Sequence, residues 1–168
     1  MDNLRAANSY SAGAFAGQTQ LCYDWEISRF TFRDETIITL KQCRELIQDV
    51  WKALNMYGRA PKVVDGRGSS FARNWHTEIH LPKWSRNNII VLHELAHTFA
   101  NMIDPQDSGE HGGIFVHIMI TLLTRFAGYK YNELSASAQA FGLKVTKIKL
   151  ATRLKNHTNE VKDHKQNP

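Results

Sequence analysis

Residues 87–105 read NNIIVLHELAHTFANMIDP, and the reading of this stretch decides the fold. Asn87 or Asn88 offers an N-cap oxygen, and the apolar spacing predicts a helix over about 89–102. Asp104-Pro105 closes it, because the residue before a proline avoids the helical region. Leu92, Leu95, Ala96 and Phe99 form its inward face. The same helix carries His93-Glu94-Leu95-Ala96-His97. Histidines four apart lie on one face, one turn apart, and can both reach one ion. Zinc accepts imidazole nitrogens at about 2.0–2.1 Å. Glu94 lies about 100° round the helix from His93, so its carboxylate can reach a water on the metal without being a ligand. Zinc lowers the pKa of such a water to about 7, and Glu94 would take its proton. That is the machinery of metal-assisted amide hydrolysis.

Two ligands are too few, since a catalytic zinc takes three protein ligands and keeps one open position. The metzincin pattern needs Gly at 100 and His at 103, whereas this chain has Ala100 and Ile103. The next histidine is His111, in Glu110-His111-Gly112-Gly113. A loop after Pro105 could return it to the motif helix, with the glycines allowing close backbone approach. Asp104, Asp107 and Glu110 are rival third ligands.

Outward from this helix, residues 36–57 read as an amphipathic helix whose stripe runs Ile37, Leu40, Cys43, Ile47, Val50, Trp51, Leu54 and Tyr57, with Gly58 as its stop. Residues 61–65 read as a short strand. Residues 71–81 read as extended, with Ile79 and Leu81 on one face and Glu78 and His80 on the other, and Pro82 marks this as an edge strand. Residues 106–109 read as a polar loop, 113–127 as a third helix and 133–141 as a short fourth. Residues 20–32 mix aromatics with charge and resolve to neither type. The expected class is α+β: a small twisted sheet packed on the HExxH helix, with two or three further helices.

The 168 residues suffice for one core without disulfides. The only cysteines, Cys22 and Cys43, exclude a disulfide scaffold and a four-cysteine zinc site, and both read as core residues. No apolar run can span a bilayer or act as a secretory signal, so the expected compartment is the cytoplasm. Residues 1–19 read as a flexible leader and 20–143 as the domain. The net charge of +5 resides in 144–168, where seven Lys/Arg face two acids. A basic segment of this kind can track nucleic acid or serve only solubility.

HELAH, thirteen intervening residues and His111-Gly112-Gly113-Ile114-Phe115 resemble the SprT-like zinc metalloproteases, whose motif is followed by a His-Gly-Pro-x-Phe segment. Ile79-His80-Leu81-Pro82 and Val91-Leu92 resemble that family's strand and helix ahead of the motif. Tyr23-Asp24-Trp25-Glu26 and Gly142 to Val145 are similar to segments of uncharacterised bacterial and phage metallohydrolases, the nearer resemblance. It spans roughly residues 20–145. It implies a minimal zincin fold, a Zn2+ cofactor, His93, His97 and His111 as ligands and Glu94 as base. Members of the Spartan type cleave proteins crosslinked to DNA. Gly113 and Ile114 stand where the family has Pro-Glu, and no cysteine follows Cys43 to build a C-terminal zinc ribbon.

The leading expectation is a zinc metallopeptidase acting on a protein or peptide substrate. The alternatives are a nucleic-acid-associated binding protein with a structural zinc and a basic tail, and a zinc hydrolase of a non-peptide amide. Secondary candidates are His80, on one strand face with Glu78 and His76, as a surface or cleft residue. His117 reads as exposed or supporting the site. Tyr129, Tyr131 and Arg73 are candidate oxyanion donors, and Trp75 and Trp84 read as core or cleft wall.

Overall fold

The computed structural model describes residues 16–30, 36–75, 77–109 and 111–155. The chain is α+β. Helix α1 (Ala16–Arg29) and α2 (Leu40–Ala53) come first, followed by strands β1 (Lys62–Asp65), β2 (Arg73–Asn74) and β3 (Glu78–Leu81). A 3-10 turn (Lys83–Ser85) leads into α3 (Asn88–Ile103), α4 (Pro105–Gly109), α5 (Gly113–Phe126) and α6 (Tyr131–Ala140).

Local sequence explains most boundaries. Thr39 caps α2 in a reciprocal box: its hydroxyl accepts from the Gln42 amide at 3.2 Å, and Gln42 Oε1 accepts from the Thr39 amide at 2.8 Å. Asn87 caps α3 by accepting from the Ile90 amide at 2.9 Å. Residues 20–30, ambiguous in sequence, lie in or just after helix α1, which begins at Ala16 and so takes in the end of the expected leader. The expected loop at 106–109 is α4, started by Pro105, whose fixed φ suits a first helical position.

The sheet is mixed, in the order β1-β3-β2, with β3 parallel to β1 and antiparallel to β2. This corrects the expectation that residues 71–81 form one edge strand. They form two strands, and β3 is interior. Pro82 follows the last residue of β3 and interrupts no pairing. The face alternation does hold, since Ile79 and Leu81 are buried while Glu78 and His80 are half-buried.

Helix α3 sits at the centre, with α2 and the sheet against it and α4 and α5 packed alongside. It is apolar almost all round, as a helix covered on every side must be. Leu92, Leu95, Phe99, Phe115, Ile118 and Met119 are completely buried, and Trp51 stacks on Phe99 at 5.5 Å. Each such side chain contributes roughly 1.5–3 kcal/mol through burial.

The basic segment 144–168 is described as far as Lys155, and to that point it packs on the body. Thr146 N donates to Gly113 O at 2.8 Å, and Leu150 and Leu154 join the core. Trp75 and Trp84, expected in the core or a cleft wall, are 55% and 44% exposed. Both cysteines are buried free thiols. Among the described residues, no helix is long and apolar enough to cross a membrane.

Candidate metal centre

Helix α3 presents His93 and His97 from successive turns, and the turn between α4 and α5 supplies His111. One ligand nitrogen from each lies within 4.8 Å of the others. His93 and His111 are buried and His97 is half-buried. The ring of Phe115 lies against all three imidazoles, with centroids 5.1, 4.4 and 4.5 Å from His93, His97 and His111.

Hydrogen bonds fix which nitrogen each ligand offers. His93 Nδ1 donates to Glu26 Oε1 at 2.7 Å, and His97 Nδ1 donates to the carbonyl of Ser108 at 2.9 Å. A carbonyl only accepts, so the Nδ1 of His97 carries the proton and Nε2 carries the lone pair. Glu26 dictates the same arrangement in His93. His93 Nε2 and His111 Nε2 face each other at 3.2 Å, and the buried Nδ1 of His111 has no hydrogen-bond partner. Two imidazole nitrogens so placed need a shared proton or a cation between them. Tetrahedral zinc with bonds of about 2.0–2.1 Å would set two ligand nitrogens about 3.3 Å apart. The residues therefore fit a divalent ion that favours imidazole, and the group can hold one.

His111 reaches this place through a strained backbone. Its φ of +52° is in the left-handed region, uncommon outside glycine. Asp107 secures the turn: its carboxylate accepts from the amides of Ile114 at 3.3 Å and Phe115 at 2.7 Å, capping α5 from outside. The two glycines make room for these supports. A Cβ on Gly112 would fall 2.2 Å from Asp107 Oδ1, and one on Gly113 would fall 2.3 Å from Thr146 Oγ1. Space for Asp107 and Thr146, rather than close approach to the motif helix, explains Gly112-Gly113.

Of the rival third ligands, Asp107 is this cap, and Asp104 Oδ1 accepts from the amides of Gln106 and Asp107. Glu110 lies outside the described residues, as does His76.

Burial pushes Glu94 up to about 7; His93 pulls it down and Glu26 adds to the rise. Burial holds His111 well below its ordinary value, helped by the neighbouring His97 and His93, so it stays neutral, as a ligand must. Burial also works against charge on His93, but the charge and hydrogen bond of Glu26 outweigh it and leave the pKa raised.

Tyr23 and Glu26, both on α1, also reach the centre. Tyr23 stacks on His93 at 6.1 Å and meets His111 edge-on at 4.9 Å. Burial raises its hydroxyl pKa, followed by the charges of Glu26 and Glu94, so it remains a neutral phenol. Glu26 holds His93. The only signal in the sequence was the three-residue spacing of an aromatic and an acid, which acquires meaning once 16–29 is helical.

The secondary candidates lie elsewhere. His80 stands outside the triad, with Nε2 3.2 Å from Glu78 Oε2 and its ring on Trp75 at 4.6 Å. Tyr129 packs on Phe30, Arg73 lies over Phe71, and Tyr131 bonds His117. His117, read as exposed or supporting the site, is buried: Tyr131 donates to its Nδ1 at 2.8 Å, and its Nε2 donates to Ile148 O at 3.0 Å. It joins α5 to α6 and to the C-terminal segment. β2 is tied to the motif helix, since Asn74 Nδ2 donates to Glu94 O and to Thr98 Oγ1.

Comparison of the chain with protein-family models, curated proteins and solved structures finds no match.

Proposed function

We propose that this protein is a zinc-dependent peptidase of minimal zincin type, hydrolysing peptide bonds of a protein substrate. The observation that carries the reading is a buried carboxyl, Glu94, on the same helix as two members of a three-imidazole cluster. A purely structural metal would have no use for that carboxyl. His93, His97 and His111 would hold the ion, and three ligands leave the open position that catalysis needs. Zinc, when bound, supplies Lewis acidity to the scissile carbonyl and to water.

The remaining steps belong to the chain. Glu94 takes a proton from the attacking water on its carboxylate and delivers it to the departing amine nitrogen. Tyr23, a neutral donor against His93 and His111, bonds the oxygen on which charge develops. β2, bonded on one side to β3 and tied to α3 through Asn74, offers its outer edge to an extended peptide.

The test is hydrolysis of an unfolded protein by zinc-loaded wild type and Glu94→Gln, with metal content measured in both. The reading expects unchanged zinc and a rate lower by about 10²–10⁴ in the variant. Equal rates, or no hydrolysis by loaded wild type, would refute it.

A further inference from the structure

Helix α1 touches the centre at three points. Gln18 Nε2 donates to the carbonyl of His111 at 2.9 Å, the ring of Tyr23 lies against His93 and His111, and Glu26 bonds His93. Tyr23 and Glu26 are three apart and share a helix face. We propose that α1 is part of the metal centre and that Glu26 is a positioning residue for His93. This rests on the metal-centre reading and adds to it a residue that neither binds the metal nor touches substrate.

Glu26 is 5% exposed, and a carboxylate there is costly unless paired. Its hydrogen-bond partner is His93, at 2.7 Å, and the thiol of Cys22 approaches the same oxygen at 3.9 Å. A neutral imidazole carries its proton on one nitrogen or the other, and only the other can bind a metal. Glu26 holds that proton on Nδ1. It thereby leaves the lone pair on Nε2, the nitrogen that faces His111. A carboxylate on the far nitrogen also orients the ring and raises its basicity as a ligand. The Ser108 carbonyl does the same for His97, but it is neutral and belongs to α4, just ahead of the turn that carries His111. Glu26 brings a charge, from a helix more than sixty residues away in sequence.

The experiment measures Zn2+ affinity, by competition with a coloured chelator, and the visible absorption of the Co2+-loaded protein. The proteins are wild type, Glu26→Gln, Glu26→Ala and Cys22→Ala. The proposal expects zinc affinity weaker by about 10–100-fold in Glu26→Ala, a smaller loss in Glu26→Gln, and a shifted cobalt band in both. Cys22→Ala, which disturbs the same helix but keeps the carboxylate, should bind zinc as wild type does. If Glu26→Ala does not fold, Glu26→Gln decides. A folded Glu26→Gln with wild-type affinity and an unshifted cobalt band would overturn the proposal while leaving the metal centre standing. An equal loss in Cys22→Ala would overturn it as well, by assigning the effect to the helix as a whole. A wild type that takes up neither metal would remove the centre and the proposal together.

Discussion

Two of the three imidazoles come from one helix and the third from a turn, and the two placements need different support. On α3 the helical period itself sets His93 and His97 one turn apart, and the buried apolar faces of the helix hold it in place. His111 has no such frame. It sits at positive φ, a conformation that costs of order 1 kcal/mol or more. It depends on Asp107 capping α5, on Ser108 exchanging hydrogen bonds with His97, and on two positions where only glycine fits. A helix-borne pair survives small local changes. A turn-borne ligand is only as well placed as the residues that close its turn.

Four outcomes would sharpen or break that comparison. The largest effect belongs to the ligands themselves. His97→Ala and His111→Ala should each weaken zinc binding beyond the roughly 10–100-fold typical of losing an outer hydrogen-bond partner, measured by chelator competition. Gly112→Ala comes next. Its methyl would strike the Asp107 carboxylate, and overpacking of this kind costs about 1–3 kcal/mol, read from chemical unfolding. Asp107→Ala should cost about 1–2 kcal/mol as a lost cap. The double variant should cost less than the sum of the two, because deleting the carboxylate makes room for the methyl. Strict additivity would show that Gly112 and Asp107 do not act on each other.

The third effect falls on the helix side. Asn87→Ala removes the cap of α3 and should cost about 1 kcal/mol of stability, while zinc affinity in the folded protein stays unchanged. A matching loss of affinity would mean that α3 is no better framed than the turn. The smallest concerns His117, one turn into α5 from Gly113. Burial holds its pKa below the ordinary value, with the Ile148 carbonyl opposing and Lys147 adding to the shift. The unfolded chain therefore takes up a proton near pH 6.5 that the folded chain refuses. Its contribution to stability is full above that pH and declines as pH falls from it toward the lower folded value. His117→Gln should flatten that part of the stability–pH profile.

The sequence made the helix half of the centre readable and the rest only in outline. HELAH needs nothing beyond helical spacing, and Asn87 with Asp104-Pro105 marks both ends of α3. His111 could be nominated but not placed, because a left-handed residue and an external cap depend on contacts that no local pattern reveals. The side chains that hold the turn, Asp107 and Ser108, read as ordinary loop residues, and Asp107 even stood as a rival ligand. Helix α1 escaped for another reason. Its inner face mixes Cys22, Trp25 and Glu26, so apolar periodicity is weak where the helix turns toward a polar site. In sequence β3 reads as an edge because Pro82 stands beside it, and only the pairing with both β1 and β2 shows otherwise.

The most direct measurement is zinc content by elemental analysis of purified wild type and His111→Ala after equilibration with Zn2+ and removal of the excess. The account requires about one tightly held ion per chain in wild type, as a three-ligand site implies, and its loss in the folded variant. No retained zinc in wild type, or equal zinc in both, would contradict it.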